Sequence, residues 1–320
     1  MRKNPEVKIT FEQPLCLYRD RYFSQTMSTL RKLNDAIYRF GNSVEVDLSN
    51  TPFVSAAASL LLFAIVNRAQ LCIRESQTIK VTLPTRKGNP EGYRWIVSTG
   101  LAKALLASNI SKLDELTQSK RFYQSSVDPY SHHATTAQML NNKALSVFSE
   151  EQFALLESGI SEAMLNVSHH AYDAPQYNEL TTMLGGKRWW QCAWFDPDRN
   201  KVTFIIYDLG MGIPRSYHGD DLQPFLQAAV LSDAWTLGAT RTGASGRGNG
   251  SEDIKSPVGA GCTENETLLI FSGHAKYVKS SRDNKVTCDY TVDEVPGTLV
   301  QWSLVPKRGS YDYSCGERLF

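Results

Sequence analysis

The segment from Ser149 to Tyr172 constrains the fold of this chain most, because its spacing predicts one long amphipathic helix. Ser149 stands where a helix cap is expected, and Gln152 three positions later completes a capping box. Apolar residues recur at helical spacing and form one stripe, made of Phe153, Leu156, Ile160, Met164 and Val167. A stripe of this width predicts a helix that packs one side against a sheet or another helix.

The opposite side of the same helix carries an unusual set of polar groups, namely Glu162, Asn166 and His169, with His170 at its edge. An acid, an amide and two imidazoles on one face form either an ordinary solvated surface or the wall of a site. The helix alone favours the ordinary surface, so the interpretation depends on the segments that follow it.

The bulk composition indicates a globular protein with a substantial core. A length of 320 residues, 42% apolar, predicts two domains or one large one. The net charge of +1 gives no support to nucleic-acid binding, although basic residues prevail in residues 1–130 and acidic residues thereafter. The six cysteines lack metal-ligand spacing, and we interpret them as reduced thiols of a cytoplasmic protein. The sequence shows neither a signal peptide nor an apolar run long enough to cross a bilayer.

Residues 1–118 alternate strand-like and helix-like segments, which predicts an α/β layer. The expected strands are 8–17, 43–48 and 79–83, and the expected helices are 21–40, 55–70 and 93–107.

The run VEVDLSNTPFVSAAASLLLFAIV, a strand followed by a short loop and a helix, resembles the core of a STAS domain, the fold of anti-sigma-factor antagonists. In that family the helix begins at a phosphorylatable serine, whereas this chain has Ser55 followed by three alanines. The usual phosphoacceptor is therefore absent, and Ser55 and Ser59 are the nearby substitutes. We expect a STAS-like interaction domain over residues 1–118 that docks a protein partner without acting as a phosphoswitch.

Residues 119–148 are polar and mixed in character, and we predict a partly helical linker in which His132 and His133 are solvated. From Ser149 onward, strands are expected at 189–195, 201–207, 268–272, 274–280, 285–291 and 298–305. This part of the chain predicts an α+β sandwich, with helices on one face of a mixed sheet.

The strand KVTFIIYD runs directly into Asp208, which is followed by Gly210, Gly212 and Ile213. Alternating glycines let a backbone approach a flat ligand closely, and the carboxylate can accept a hydrogen bond from an exocyclic amine. The pattern is weak by itself, because Asp-x-Gly also forms ordinary turns.

A second glycine-dense turn follows about thirty residues later, before a short predicted helix. Its central residues are Gly246, Arg247, Gly248, Asn249 and Gly250. Backbone N–H groups and a helix start together favour anions, so this loop is either a phosphate cradle or a flexible linker. It matches neither a Walker A loop nor a dinucleotide fingerprint.

The order of these segments is more informative than any of them alone. Glu162-x-x-x-Asn166, then Asp208-x-Gly-x-Gly, then Gly246-x-Gly-x-Gly, then Gly297-Thr298 resembles the GHKL ATP-binding domain, the family of gyrase, histidine kinases and MutL. The resemblance covers about residues 149–306, so we expect a GHKL domain over 149–308 and a tail over 309–320. Residues 215–245 occupy the position of the ATP lid.

The resemblance implies a role for each matching residue. Asn166 would bind Mg²⁺, and Glu162 would position or deprotonate the attacking water. Asp208 would bind the adenine amino group, with Gly212 close to the base and Thr298 assisting through water. The backbone of the second glycine turn would hold the phosphates. Ser251 replaces the leucine usual in this family, and Pro257 predicts a short or distorted helix after the cradle.

Taken together, these expectations describe a cytoplasmic bacterial Mg-ATP-binding protein that couples its nucleotide state to a protein partner. It would act as an ATPase, in the manner of a dimerising switch, or as an anti-sigma-type serine kinase. A regulatory module that holds nucleotide without turnover is the alternative, and a nucleic-acid-stimulated dimerising ATPase is a further one. The sequence leaves the partner, the oligomeric state and the pathway open.

Overall fold

The computed structural model of the chain describes residues 6–73, 77–143, 148–196, 200–235, 250–259, 265–282 and 285–306. They form a mixed α/β structure with two sheets, one of three parallel strands and one of five antiparallel strands. The coarse fold class expected from the sequence is therefore confirmed.

The three-stranded sheet comes from the first third of the chain, in the order β1-β2-β3. Its strands are β1 (Glu6–Thr10), β2 (Ser43–Asp47) and β3 (Ile79–Thr82). The accompanying helices are α1 (Asp20–Asn34), α2 (Ala56–Cys72), α3 (Pro90–Gly92), α4 (Leu101–Leu105) and α5 (Ile110–Gln118). Two π-helical turns, Asp35–Arg39 and Tyr93–Ser98, extend α1 and α3.

The predicted helix 93–107 is interrupted in the structure. Gly100 adopts a left-handed backbone with φ of +91° and separates the π-helical turn from α4. Glycine enters this region without the steric cost that a side chain would add, so it ends one helix and begins another. The predicted strand 8–17 is likewise shorter, since β1 ends before Pro14.

The helix α2 is buried on nearly every side, which explains why its sequence is uniformly apolar rather than amphipathic. Its cap is Ser55, whose hydroxyl accepts a hydrogen bond from the Ala58 N–H at 3.4 Å. The helix contacts both β3 and the larger sheet. Two buried hydrogen bonds join it to that larger sheet, from Trp190 Nε1 to Asn67 Oδ1 at 2.8 Å and between the Ser59 and Tyr123 hydroxyls at 2.8 Å.

The larger sheet has the order β4-β5-β6-β8-β7. Its strands are β4 (Tyr123–Ser126), β5 (Trp189–Asp196), β6 (Lys201–Asp208), β7 (Thr267–Ser280) and β8 (Val286–Leu304). The four short strands expected after residue 268 are two long ones. The first continues through a bulge at Gly273, where φ is +61°, and the register with β8 shifts on either side of it.

The segment expected to be a linker, residues 119–148, differs from that expectation. It supplies β4, which pairs with β5 in antiparallel register from Tyr123 opposite Cys192, and the helix α6 (Pro129–Lys143). The expectation that His132 is solvated is wrong. This imidazole is 4% exposed and packs edge-on against Trp189, because α6 lies over the sheet and turns one side inward.

The amphipathic helix expected from Ser149 is α7 (Glu150–Asn166), continued by a π-helical turn over Val167–Ala171. The Ser149 hydroxyl accepts from the Gln152 N–H at 3.3 Å, which confirms the cap. Every residue of the predicted stripe packs in the core. The remaining helices are α8 (Asn178–Met183), α9 (Ile213–His218), α10 (Gln227–Ala234) and α11 (Gly250–Lys255), with 3-10 turns at Pro175–Tyr177 and Pro224–Leu226.

Helices cover the larger sheet on both faces. Gln301 of β8 accepts a hydrogen bond from the Tyr18 hydroxyl at 2.6 Å, on the side of α1 and α2. Its neighbour Trp302 donates to the Ile254 carbonyl of α11 at 2.8 Å and lies beside Gly159 of α7. Successive residues of a strand point to opposite faces, so these contacts place the sheet between two helical layers. Across the described ranges, none of the helices has the length and apolar character needed to cross a membrane.

Candidate functional site

Four residues on four neighbouring strands form one row across the larger sheet. Asp208 at the end of β6 pairs with Trp189 of β5 on one side and with Thr298 of β8 on the other. Thr298 in turn pairs with Ser272 of β7. The row lies at the point where β6 passes into the first glycine turn. The sheet thus brings together two of the sequence motifs that lie ninety positions apart in the chain.

Asp208 is the electrostatic centre of this row. Its side chain is 4% exposed, and burial raises the pKa of its carboxyl to about 7. Hydrogen bonds from the backbone N–H groups of Gly210, at 2.8 Å, and of Thr298 oppose this rise in pKa. Burial raises the pKa more than these hydrogen bonds lower it, so the carboxyl gains or loses its proton near neutral pH.

The first glycine turn is fastened to the end of α7. A Cβ at Gly210 would overlap the backbone of Ala171, and the Met211 N–H donates to the Ala171 carbonyl at 2.8 Å. The Tyr172 hydroxyl accepts from the Leu209 N–H at 2.9 Å. Gly212 has a φ of +80°, a conformation that favours glycine. Gly210 therefore allows close contact with Ala171, just beyond α7, and Gly212 allows close contact with Ser272 and Gly297 of β7 and β8. Sequence alone suggested only close approach to a ligand at these glycines.

Glu162 lies on the same helix, one turn before Asn166. It is half-buried, and the pKa of its carboxyl is raised, first by burial and then by repulsion from Asp253. His169 and a hydrogen bond with Asn166 act in the opposite direction. An open cleft of about 320 Å³ adjoins this carboxylate, lined by His133, Ala154, Glu157, Ser158, Ser161, Glu162 and Asp253.

Gly250, the last glycine of the second motif, lies against Glu162. A Cβ at this position would overlap the Glu162 carboxylate, so only glycine fits without movement of that side chain. Helix α11, which begins at Gly250, packs along α7. The other residues predicted for the phosphate cradle, Gly246, Arg247, Gly248 and Asn249, lie outside the described residues, as does the second part of the predicted lid.

The helix after the cradle is short, as the sequence predicts. It ends at Lys255, two residues before Pro257. The Lys255 ammonium donates to the carbonyl of Trp235 at 2.8 Å and so fixes the end of α11 to the residue after α10. At the position where the family has leucine, the Ser251 hydroxyl is buried and finds no hydrogen-bond partner within the described ranges.

The histidines divide into distinct environments. His169 is exposed, whereas His170 is half-buried. Burial lowers the pKa of His132 to about 4, so this imidazole is neutral in the fold. His133 lies 3.6 Å from a carboxylate oxygen of Glu157, an acidic partner that local spacing did not reveal because it comes from a different helix.

Sequence reasoning missed Ser272 and Tyr172. Tyr172 closes the predicted helix and gave no separate signal, although its hydroxyl joins two parts of the site by also donating to the Arg188 carbonyl at 2.6 Å. Ser272 is fully buried and follows the apolar run LLIF of β7. A serine directly after an apolar run and before a glycine was the available signal.

The side-chain oxygen atoms of Asn166 and Glu162, near the end of α7, are of the kind that bind a hard cation together with phosphate. Among the described residues no group of three or more His, Cys, Asp or Glu could hold a metal ion by itself. Mg²⁺ commonly keeps few protein ligands and takes the rest from phosphate and water. The half-buried Asn166 amide oxygen, beside Glu162, fits that mode of binding.

Comparison of the chain with protein-family models, and with curated proteins, gave no match.

Proposed function

We propose that residues 149–308 form a GHKL-type site for Mg-ATP, and that the chain couples its nucleotide state to the binding of a protein partner. The observation that carries the proposal is the convergence of separate motifs at one helix. Glu162 of α7 contacts Gly250 from the second glycine turn, while Ala171, just beyond α7, contacts Gly210 from the first. Thr298 stands beside Asp208 in the same row.

Each residue then has a chemical role that its surroundings support. Asp208 accepts a hydrogen bond from the amino group of the base, and Thr298 beside it assists. Asn166 holds Mg²⁺, which neutralises charge on the phosphates. Glu162 orients the attacking water from the cleft beside it, because its carboxylate is half-buried and hydrogen-bonded on one side. Phosphoryl transfer requires this kind of positioning and charge neutralisation more than covalent chemistry.

The acceptor of the phosphoryl group is water or a residue of another protein. Ser55 and Ser59, the two serines nearest the STAS phosphoacceptor position, are 2% and 0% exposed. Both hydroxyls are hydrogen-bonded, Ser55 as the cap of α2 and Ser59 to Tyr123. A buried and bonded hydroxyl cannot reach a γ-phosphate, so transfer within the chain is disfavoured. The larger sheet covers α2, so a protein partner would bind the STAS-like part at another surface.

Calorimetric titration with ADP and Mg²⁺ tests the nucleotide site. We expect saturable binding by the wild-type chain, and its loss or severe weakening in Asn166→Ala. Asn178→Ala is the control, because this exposed asparagine on α8 is not among the residues proposed to bind nucleotide or metal. Absence of ADP binding by the folded wild-type protein would refute the proposal.

A module that binds nucleotide without turnover is the second candidate. The observation in its favour is the packing of Glu162, whose carboxylate bonds to Asn166 and presses on Gly250. In this arrangement the acid could hold the site together instead of addressing water. Steady-state ATP consumption separates the two functions. Glu162→Gln should abolish turnover and retain ADP binding if the chain is an ATPase, whereas wild-type ATP consumption no higher than that of this variant favours the binding module.

A further inference from the structure

Ser272 is a fully buried hydroxyl that the proposed roles do not use, yet it is the last member of the row that contains Asp208 and Thr298. Its Oγ lies 3.1 Å from the Gly297 carbonyl oxygen and 3.1 Å from the Thr298 hydroxyl. It also accepts a hydrogen bond from the Ile213 N–H at 2.8 Å. One side chain therefore connects the first glycine turn to the Gly-Thr pair.

The chemistry of these partners fixes the direction of each hydrogen bond. A serine hydroxyl has one proton to donate and two lone pairs to accept with. The Gly297 carbonyl can only accept, so it takes the Ser272 proton, and the Ile213 N–H can only donate, so it fills one lone pair. The remaining partner, the Thr298 hydroxyl, must then donate to the second lone pair. Thr298 is thereby left with acceptor capacity alone.

The backbone holds Ser272 in this position. A bulge follows it directly, where the register between β7 and β8 shifts at Gly273. Gln227 of α10 stabilises the bulge by accepting the His274 N–H at 2.7 Å, and a Cβ at Gly273 would overlap the Gln227 amide oxygen. Bulges re-aim side chains at functional sites. The position of Ser272 is therefore fixed by the pairing of β7 with β8 and by the bulge at Gly273 that follows it.

We propose that Ser272 is a positioning residue that sets the base preference of the site, by holding the Thr298 hydroxyl as an acceptor beside the Asp208 carboxylate. This inference rests on the proposed nucleotide site. Two acceptors side by side suit the 6-amino group of a purine, which has two protons to donate, and repel the 6-oxo oxygen of other purines, which can only accept. A water molecule that donates both protons to Asp208 and Thr298 would present only lone pairs to the base, so the same selection holds with water between them.

The test is the ratio of ADP to IDP affinity, measured by calorimetry with Mg²⁺ at about pH 8, where most of Asp208 is ionised. ADP and IDP differ at the purine edge that Thr298 and Asp208 would face. In Ser272→Ala the Thr298 hydroxyl is released and can donate to the 6-oxo group. We expect the preference for ADP to fall about tenfold, which corresponds to one hydrogen bond.

Thr298→Val is the companion variant, because it removes the hydroxyl and keeps the side-chain volume. The ratio of ADP to IDP affinity should also fall in Thr298→Val. In the double variant, Ser272→Ala with Thr298→Val, this ratio should be no lower than in Thr298→Val alone, since Ser272 acts only through Thr298. Ser272→Cys, which retains volume but bonds weakly, provides the same test if Ser272→Ala does not fold.

The outcomes are distinct for the two proposals. An unchanged ratio in folded Ser272 variants would overturn the role of Ser272, and so would an equal loss of affinity for both nucleotides, which indicates a structural contribution only. Either result leaves ADP binding by the wild type intact. Failure of the wild type to bind ADP refutes the nucleotide site itself.

Discussion

At the residue scale, the buried carboxyl of Asp208 links the stability of the fold to the role proposed for this residue. Folding places it at 4% exposure, although the acid that a base-binding role requires is the ionised one. Burial raises its pKa from 3.8 to about 7, so the folded state binds a proton that the unfolded state releases. The stabilising contribution of the protonated form is complete below the unfolded pKa, and it is lost as the pH rises through the folded pKa.

Asp208→Asn should therefore stabilise the protein at about pH 8 and have much less effect at about pH 4. The change in the free energy of unfolding should differ between the two pH values by on the order of a few kcal/mol. The amide removes the cost of a buried charge and keeps an oxygen that can accept the Gly210 N–H. Thermal unfolding of both proteins across this pH range measures the effect. A stability difference that does not change with pH would contradict it. Asp220→Asn, an exposed aspartate, serves as the control.

Gly250→Ala should destabilise the fold by about 1–3 kcal/mol, because the new Cβ overlaps the Glu162 carboxylate. Chemical denaturation measures the free energy of unfolding. Glu162→Ala removes the obstructing group. In the Glu162→Ala background, Gly250→Ala should therefore lower the free energy of unfolding much less than it does in the wild type. Additive losses would show that Gly250 is constrained by something other than Glu162.

Local sequence predicted some of these residues and could not predict others, for a physical reason. Glu162, Asn166 and Asp208 could be proposed as site residues from the sequence because helical spacing and a strand end are local properties. Ser272 was missed because its role depends on which residue it faces across β8, and register is a property of strand pairing. His132 was misjudged for a similar reason, since its burial comes from the packing of α6 on Trp189.

At the element scale, α2 is predicted well in its limits and poorly in its surroundings. The expected helix 55–70 is Ala56–Cys72, capped by Ser55. Its largely apolar sequence agrees with burial on nearly every side, yet nothing local says which elements cover it. The larger sheet does so through polar contacts that a hydrophobic pattern does not reveal, such as Asn67 with Trp190.

Asn67→Ala should cost about 1–3 kcal/mol, because the buried Trp190 Nε1–H and the Ala107 carbonyl both lose their partner. Urea denaturation measures this loss. In a Trp190→Phe background the same substitution should cost less, since one of the two orphaned groups is gone. Asn50→Ala, at an exposed loop position, is expected to be nearly neutral. Equal costs in both backgrounds would show that the indole bond contributes nothing.

At the scale of the whole molecule, the two parts expected from the sequence share one continuous core. Buried residues from α1 and α2 and from β5 to β8 belong to a single cluster. Phe23 of α1 stacks on Phe271 of β7 with ring centroids 5.7 Å apart, and the Tyr18 hydroxyl reaches Gln301. The element types were predictable from periodicity, whereas this shared core depends on long-range packing.

The chain should accordingly unfold in one cooperative transition, because neither part buries its apolar surface without the other. Differential scanning calorimetry, with a comparison of calorimetric and van't Hoff enthalpies, measures cooperativity. Tyr18→Phe removes the bond to Gln301 and should lower the transition temperature while the transition stays single. Two separated transitions in the wild type would contradict the shared core.

The double coverage of β8 also has an evolutionary consequence. Gln301 is hydrogen-bonded to Tyr18 on one face of the sheet. On the other face, Trp302 is hydrogen-bonded to Ile254 and lies beside Gly159. A change at either position is acceptable only if a partner from a distant part of the chain changes with it. Divergent relatives should therefore alter these positions of β8 together with the segment before α1 on one side and with α7 and α11 on the other. The part of β8 around Gln301 and Trp302 should then change more slowly than its exposed part near Val292.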